Sequence, residues 1–470
     1  MTWQRSASQW FRLPADRLWA VLSRLERWPE WNPAIGAASL DGVLREGAQG
    51  SYSPAHRLVG PLHRRTAPPF TVTGVESGRR LAFRQGQPGG GQNVEWTLEE
   101  GDGGTVFTQR VALEGPLAQP FGLTAGEPLV RRFEAQCARL YRLAASPSSP
   151  GGSATDDGDG RGRLFAIAGG SGLLGTLLAS DLVRDGHRVA VLTRSPSASP
   201  FEQIAWDGRS QGAWAERLGS EPRLSVVNLA GTSMDRPGTE ENLAMLTASR
   251  VEPTRALVEA SRRWERPAER WLQQSGTGIY GATDGPADES APLPVVPGLP
   301  AVARDWEASV DGSNAAHLNV VRSGVVLHRD APLMARLTVP ARLGAGGHQG
   351  TGGQYMSWIH ATDWVRAARA VLGLSPAAGE RPVDVPAGVV NATAPFPVQN
   401  SELMARLRDL VGVPVGIPAP EPLLRVAAAV LRTNPDLVLE DIRAVPAVLQ
   451  AAGFTFAYPR LGDALAELGS

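Results

Sequence analysis

Apolar and polar positions along the chain change rhythm once. Over Thr71–Val75, Arg80–Arg84, Val94–Leu98 and Thr105–Val111, apolar and polar residues alternate between glycine-rich turns, the period-two pattern of antiparallel strands. Ahead of them, Pro14–Leu25 sets Leu18, Trp19, Leu22 and Leu25 at helical spacing, and behind them an amphipathic helix is predicted from about Pro128 to Leu143. Helix, strands and long helix is an α+β order. Farther along the pattern changes: Leu164–Ala168 reads as a buried strand, His187–Thr193 as another, and Leu224–Leu229, Arg270–Gln274 and Leu318–Val321 are further short apolar runs bounded by turn residues. Helical stretches, among them Leu173–Arg184 and Glu252–Trp264, lie between them. Short apolar runs alternating with helices in a βαβ rhythm predict a parallel sheet covered on both faces. The expected fold class is α/β, a Rossmann-type parallel sheet flanked by helices, preceded by a separate α+β domain.

Between the two rhythms lies Ser146–Gly162, rich in Ser, Gly, Pro and Asp and nearly without apolar residues. It predicts a flexible linker over 146–162, dividing a domain at 1–145 from one at 163–470. The 470 residues are ample for both. Hydrophobic content of 42% and a formal net charge of −1 fit a globular chain with no overall field for nucleic acid or an anionic membrane. No run approaches the roughly 20 apolar residues of a membrane span, and Met1–Phe11 lacks a signal-peptide pattern, so a cytoplasmic protein is expected. The single cysteine, Cys137, sits at helical spacing in FEAQCARLYRL and is expected to be a packed thiol, with no metal site. All 46 basic residues are arginines, which removes any mechanism that needs a lysine ammonium.

With 53 glycines, a bare Gly-x-Gly-x-x-Gly should occur by chance about 0.7 times. It occurs twice, at Gly170–Gly175 and at Gly276–Gly281. Only the first follows an apolar strand and opens a helix, which ends at Gly186 before the strand HRVAVL. In that setting the glycines let the chain turn tightly and bring backbone N–H groups to a pyrophosphate at the helix N-terminus. The expected cofactor-binding residues are therefore Gly169, Gly170, Ser171, Gly172, Leu173, Leu174 and Gly175. The second strand ends Leu192-Thr193-Arg194-Ser195, with Arg194 where an NAD-preferring site would carry a carboxylate. An arginine fork suits a 2′-phosphate, so NADP(H) is the expected cofactor.

These residues resemble the atypical branch of the extended short-chain dehydrogenase/reductases, the NAD-dependent epimerase/dehydratase family. The resemblance spans nearly all of Arg163–Ser470. It is carried by AGGSGLLG, VLTRSP, Val226–Gly231, Ser275–Gly281, Arg304–Glu307, Arg322–Leu327, Met356–Asp363, Val390–Pro395 and a C-terminal segment similar to DUF1731. It implies that Asn228, Leu229, Ala230 and Gly231 lie beside the adenine ribose and that Ser275 is a catalytic hydroxyl. His360 and Asp363 are expected to be structural. The first domain resembles the START-like or polyketide-cyclase (SRPBCC) helix-grip family, chiefly in RLWAVLSRLERWPEWNPAI. That resemblance implies an apolar cavity, in which Trp19, Trp28 and Trp31 either line a ligand site or pack as core.

Ordinary members of the superfamily use a Tyr-x-x-x-Lys pair. The corresponding stretch here, Leu299–Glu307, reads LPAVARDWE and has neither residue. If the domain turns over, Tyr280 is the expected acid/base, with Ser275 and Thr277 as hydrogen-bond donors and Asp305 or Glu307 as an alternative carboxylate base. The chain is thus expected to be an NADP(H)-binding epimerase or oxidoreductase acting on an unidentified small molecule, with an apolar ligand in the first domain. The alternative is a non-catalytic NADP(H)-binding regulatory or lipid-like-ligand protein.

Overall fold

A computed structural model of the chain describes residues 2–55, 68–87, 89–122, 126–146 and 162–469. The expected linker falls almost wholly on 147–161 and lies outside the described residues.

The first part builds one antiparallel sheet from β1 (Thr2–Phe11), β2 (Ile35–Leu40), β3 (Gln49–Pro54), β4 (Phe70–Glu76), β5 (Arg80–Gln87), β6 (Gly90–Gly101) and β7 (Gly104–Glu114). Its order is β1-β7-β6-β5-β4-β3-β2, so every antiparallel neighbour pair after β1 is consecutive along the chain. The inner face of these strands buries Phe70, Phe83, Trp96 and Phe107, as their alternation requires. Helix Ala15–Leu22 and the long helix Phe133–Ala145 complete an α+β helix-grip fold.

The predicted helix over Pro128–Leu143 is broken. A single turn, Glu127–Val130, precedes the helix proper, and Arg132 between them adopts a left-handed φ of 55°. The break is satisfied by side-chain amides: Gln109 and Gln136 each donate to the Leu129 carbonyl, at 3.1 and 3.0 Å, and Gln136 also donates to that of Arg131. A backbone carbonyl orphaned inside a domain needs such partners. Cys137 is buried in this helix, and desolvation pushes its thiol well above the ordinary range.

The second part is α/β. Its main strands are β8 (Leu164–Ala168), β9 (Arg188–Thr193), β10 (Glu202–Ala205), β11 (Leu224–Asn228), β12 (Arg270–Gly276) and β13 (Leu318–Ser323). Then come β14 (Val325–Leu327), β15 (Tyr355–Met356), β16 (Trp358–His360), β17 (Gly388–Ala392) and β18 (Val398–Gln399). The large sheet is parallel, in the order β10-β9-β8-β11-β12-β13-β17, and β14/β16 and β15/β18 form two small pairs beside it. β8 and β11 are buried at every position; β8 is accordingly apolar throughout, while β11 carries Ser225 and Asn228 among its apolar residues.

Helix Leu173–Arg184 has the predicted bounds. The helix expected at Glu252–Trp264 instead runs Glu240–Ser261, carrying Pro253 in its interior. Thr239 caps its start by accepting from the Asn242 N–H at 3.3 Å. A proline reads from sequence as a helix start because it suits the first turn. Here the packing of Leu246, Val251 and Leu257 carries the helix past it. Among the described residues, no helix is long and apolar enough to cross a membrane.

Candidate functional site

A parallel sheet directs all its carboxyl ends to one edge, and the order of this one changes direction between β8 and β11. The chain leaves β8 toward one side and β11 toward the other, which opens a crevice between their carboxyl ends. The predicted glycine loop follows β8, and Asn228–Gly231 follows β11, so the two segments meet at that crevice.

Steric demands at the loop identify what each glycine does. Gly169 has φ of 77°, and a Cβ there would stand 2.5 Å from the Leu229 carbonyl oxygen. At Gly170 a Cβ would meet the Val191 side chain at 2.7 Å, and at Gly175 it would meet Gly169 O and Gly170 Cα at 2.5 Å. These three close the strand–turn–helix unit on itself. Gly172 differs: its Cβ would approach only Gly169 O, at 3.3 Å, with open space beyond. The first N–H groups of helix Leu173–Arg184, Leu173 and Leu174 among them, have no acceptor within the helix and carry the positive end of its dipole. The loop therefore suits an anionic group lying close over Ser171 and Gly172.

Arg194, just past β9, is exposed and pairs with no carboxylate among the described residues. Its guanidinium is free to grip a phosphate. Asn228 is fully buried and holds the neighbouring loop: its Nδ2 donates to Thr254 Oγ1 at 2.8 Å and to Gln273 Oε1 at 3.0 Å, while its Oδ1 accepts from the Ala230 N–H at 3.2 Å. Beneath the same loop lies Arg250, which sequence reasoning missed. It is buried, donates to Thr232 O at 2.9 Å and stacks over the Trp306 ring at 5.1 Å. Burial without a carboxylate lowers its pKa to about 10.

Farther along the same edge, the ends of β12 and β13 open onto a cavity of about 260 Å³. Gly276, Thr277 and Gly278 follow β12, and Ser323, Gly324 and Val325 follow β13. The opposite wall comes from Tyr355–Ser357 and from Asp436–Ile442. Those two segments are tied together: Ile442 N donates to Tyr355 O at 3.0 Å, Tyr355 N to Asp441 Oδ1 at 3.0 Å, and Ser357 Oγ to Ile442 O at 2.9 Å.

Of the three expected catalytic residues, only Thr277 lines this cavity. Ser275 and Tyr280 are buried one layer behind it. The Ser275 hydroxyl donates to Glu307 Oε1 at 2.6 Å, and Arg322 grips the same carboxylate with Nε and Nη2, both at 2.8 Å. Arg322 Nη1 donates to the Tyr280 hydroxyl at 3.0 Å, which itself donates to Asn391 Oδ1 at 2.9 Å. A continuous chain of charge-assisted bonds thus runs from Ser275 to Asn391. Desolvation raises the Tyr280 pKa, which makes its phenol a poorer base at neutral pH than a free one. The expected carboxylate bases separate as well. Glu307 is spent on Arg322, and Asp305, on the helix Leu299–Ala308, is exposed and lines no part of the cavity.

Two acids that sequence reasoning did not single out, Asp436 and Glu440, do line it. Burial, with Asp436 nearby, pushes the Glu440 carboxyl up to about 7. His360 and Asp363 hold structure, as expected. His360 caps helix Ala361–Val371 by accepting from Thr362 N at 3.2 Å, and buried Asp363 accepts from the Ala457 and Tyr458 N–H groups at 2.7 and 2.8 Å.

In the first domain, Trp28 and Trp31 pack as core. Trp28 lies 4.8 Å from Trp96 and 5.1 Å from Phe83, and Trp31 lies 5.2 Å from Trp96. A cavity of about 10 Å³ lies among Asn32, Tyr52, Trp96 and their neighbours, roughly the room of one water.

Three family models match the chain. "Polyketide cyclase / dehydrase and lipid transport" covers residues 3–145, "NAD dependent epimerase/dehydratase family" 165–298, and "Domain of unknown function (DUF1731)" 419–468. The last supplies the cavity wall with Asp436 and Glu440. Epimerase family protein SDR39U1 from Bos taurus is 30% identical over 310 residues, spanning 64% of this chain and 98% of the relative. A crystal structure of the human epimerase family protein SDR39U1 (isoform 2) with NADPH is 28% identical, with a TM-score of 0.55, over 65% of this chain and 99% of that one. A nucleoside-diphosphate sugar epimerase from Corynebacterium glutamicum shares the fold along 99% of this chain and 90% of its own, at 22% identity and a TM-score of 0.58. With the 30% identity over 98% of the Bos taurus relative and the family match over the glycine-loop half of the second part, the chain belongs to the NAD dependent epimerase/dehydratase family.

Proposed function

We propose that the carboxyl edge of the parallel sheet is a site for NADP(H) and a small-molecule substrate, and that the protein is an oxidoreductase or epimerase of atypical acid/base chemistry. One observation carries the reading. The open helix N-terminus over Gly172 and the cavity behind Thr277 lie along one carboxyl edge, so a molecule extended along that edge would reach both. The NADPH of the human relative supports the choice of cofactor.

Gly169–Gly175, with the N–H groups of Ser171, Leu173 and Leu174, would hold the pyrophosphate. Asn228, Leu229, Ala230 and Gly231 would flank the adenine ribose, and Arg194 would grip the 2′-phosphate. Bound there, the nicotinamide supplies or accepts a hydride. Thr277 orients a substrate oxygen at the cavity mouth. Ser275 and Tyr280 act as positioning residues, holding the Thr277 turn through Glu307, Arg322 and Asn391. The chain has no lysine, so the proton must pass through a group other than the superfamily's usual pair.

A regulatory role without turnover draws less support, because a cavity with hydroxyls and carboxylates in its wall, on the same carboxyl edge as the glycine loop, is more than a binding module requires. In the first domain, the packed rings favour a core role for Trp28 and Trp31, and an apolar ligand there would have to displace them.

Fluorescence titration of the full-length protein with NADPH and NADH tests the cofactor reading. NADPH should bind more tightly, and Arg194→Ala should weaken NADPH by about tenfold or more while leaving NADH unchanged. Equal losses for both, or no binding of either, would overturn it.

A further inference from the structure

The cavity behind Thr277 is one-sided in charge. Among the described residues its lining includes Asp436 and Glu440 but no arginine, lysine or histidine. Most of the remaining wall is apolar, with Leu299, Val325, Leu333, Leu337, Leu403 and Ile442. Of the arginines near its walls, Arg322 is committed to Glu307, Arg336 to Asp235 and Arg443 to Asp441, with Arg443 also stacked 4.3 Å over the Tyr355 ring. No lysine exists anywhere in the chain to reach in.

From this we infer that the cavity takes a small, largely apolar, phosphate-free molecule, held through hydroxyl or carbonyl groups by Thr277, Ser323 and the Glu440 carboxyl. The inference rests on the reading of this edge as a cofactor and substrate site, and it narrows the substrate class of that site. Three physical points support it.

A diphosphate entering here would meet two carboxylates with no compensating cation, and desolvating a polyanion without partners is costly. The volume of about 260 Å³ falls at the small end of ligand cavities, below the roughly 300–1,000 Å³ common for drug-sized molecules. The polar groups present also suit a neutral ligand. Ser323 Oγ accepts from Gln274 Nε2 and from Trp364 Nε1, both at 2.8 Å, which occupies its lone pairs and leaves its proton to donate. Glu440 sits half-buried, with burial and the charge of Asp436 as the influences upon it. A carboxyl poised near 7 is both acid and carboxylate at neutral pH, so it can donate to a carbonyl or accept from a hydroxyl.

Calorimetric titration of the full-length protein with UDP-glucose and with benzylacetone, a phosphate-free aryl ketone, tests this with and without saturating NADPH. Benzylacetone should bind at least about tenfold more tightly than UDP-glucose. Val325→Trp, which fills the cavity, should weaken benzylacetone by about tenfold or more while NADPH still binds. If Val325→Trp does not fold, Leu333→Phe, at another lining position, gives the same readout. Tighter binding of UDP-glucose that is lost on filling the cavity would overturn the inference, and so would absence of benzylacetone binding to the unmodified protein. NADPH binding is read separately. Its failure alongside intact benzylacetone binding would remove the cofactor reading and leave the cavity's selectivity standing.

Discussion

The chain carries the spacing Gly-x-Gly-x-x-Gly twice, and the two copies fold differently. At Gly170–Gly175 the segment turns from β8 into a helix of 12 residues, and contacts at 2.5–2.7 Å leave no room for a Cβ on Gly170 or Gly175. At Gly276–Gly281 it turns from β12 into a single 3₁₀ turn, Thr277–Tyr280. There a Cβ on Gly276 would meet nothing nearer than Ser323 O at 3.8 Å, and one on Gly278 would meet nothing within 4 Å. The first loop is closed on its own backbone and open only toward its helix N-terminus. The second is open toward a cavity and closed from behind by buried side chains. Identical spacing therefore produces an open helix N-terminus in one place and a cavity rim in the other, and the following element decides which.

The largest expected effect breaks the second loop from behind. Arg322→Met would strand Glu307, Ser275 and Tyr280 without their cation, and breaking a buried pair in this way costs about 3 kcal/mol. Chemical denaturation should report that loss, and Glu307→Gln in the same chain should restore part of it. If the two effects simply add, the chain of bonds is not a unit. The first loop should break next most easily. Gly175→Ala forces a Cβ against Gly169 O and Gly170 Cα, an overpacking cost of about 2 kcal/mol. It should also abolish NADPH binding in the fluorescence titration, whereas Arg322→Met should leave that binding near normal in the fraction still folded.

The contrast also marks what could be read in the residues. The strand β8 and the helix Leu173–Arg184 were legible because burial on both faces leaves an unbroken apolar run, and helix ends carry glycine signals; β11 was legible from the apolar residues around Ser225 and Asn228. β10, only four half-exposed residues at the sheet edge, carries no such pattern. The helix start at Glu240 was hidden by Pro253, and the break at Arg131–Arg132 depends on amides more than 20 positions distant in places, such as Asn32. At the site, Gly169–Gly175 was legible because local geometry dictates it. The difference between Thr277, at the cavity, and Tyr280, three residues later and buried against Asn391, is set by a 3₁₀ turn that spacing alone does not announce. Glu440 closes the stretch Asp436-Leu-Val-Leu-Glu440, where an acid straight after three apolar residues was the available signal.

Smaller effects sharpen the same contrast. Gly278→Ala should change stability by no more than about 0.5 kcal/mol, because its Cβ projects into open space and the residue has no left-handed φ. NADPH affinity should be unchanged while benzylacetone affinity shifts, in calorimetry on the same sample. A destabilisation comparable to that of Gly175→Ala would erase the distinction between the loops.

The subtlest test concerns the acid on the far wall of the second loop's cavity. The Glu440 carboxyl is held at about 7, above its ordinary value near 4.5, so the folded state favours the protonated form. A raised folded value gives a stabilisation that is complete below the unfolded value and lost as pH climbs through the folded one. Glu440→Gln removes that dependence. The variant should therefore match the parent at about pH 4 and exceed it by roughly 1 kcal/mol at about pH 8, after allowance for the solvent that reaches the side chain. Asp436→Asn should narrow the window from above, since part of the shift comes from its charge. Denaturation midpoints followed across this range would show the two curves separating only on the alkaline side. Parallel curves would mean that the carboxyl is already well solvated, and that the cavity rim is wetter than the first loop's closed turn by more than the geometry allows.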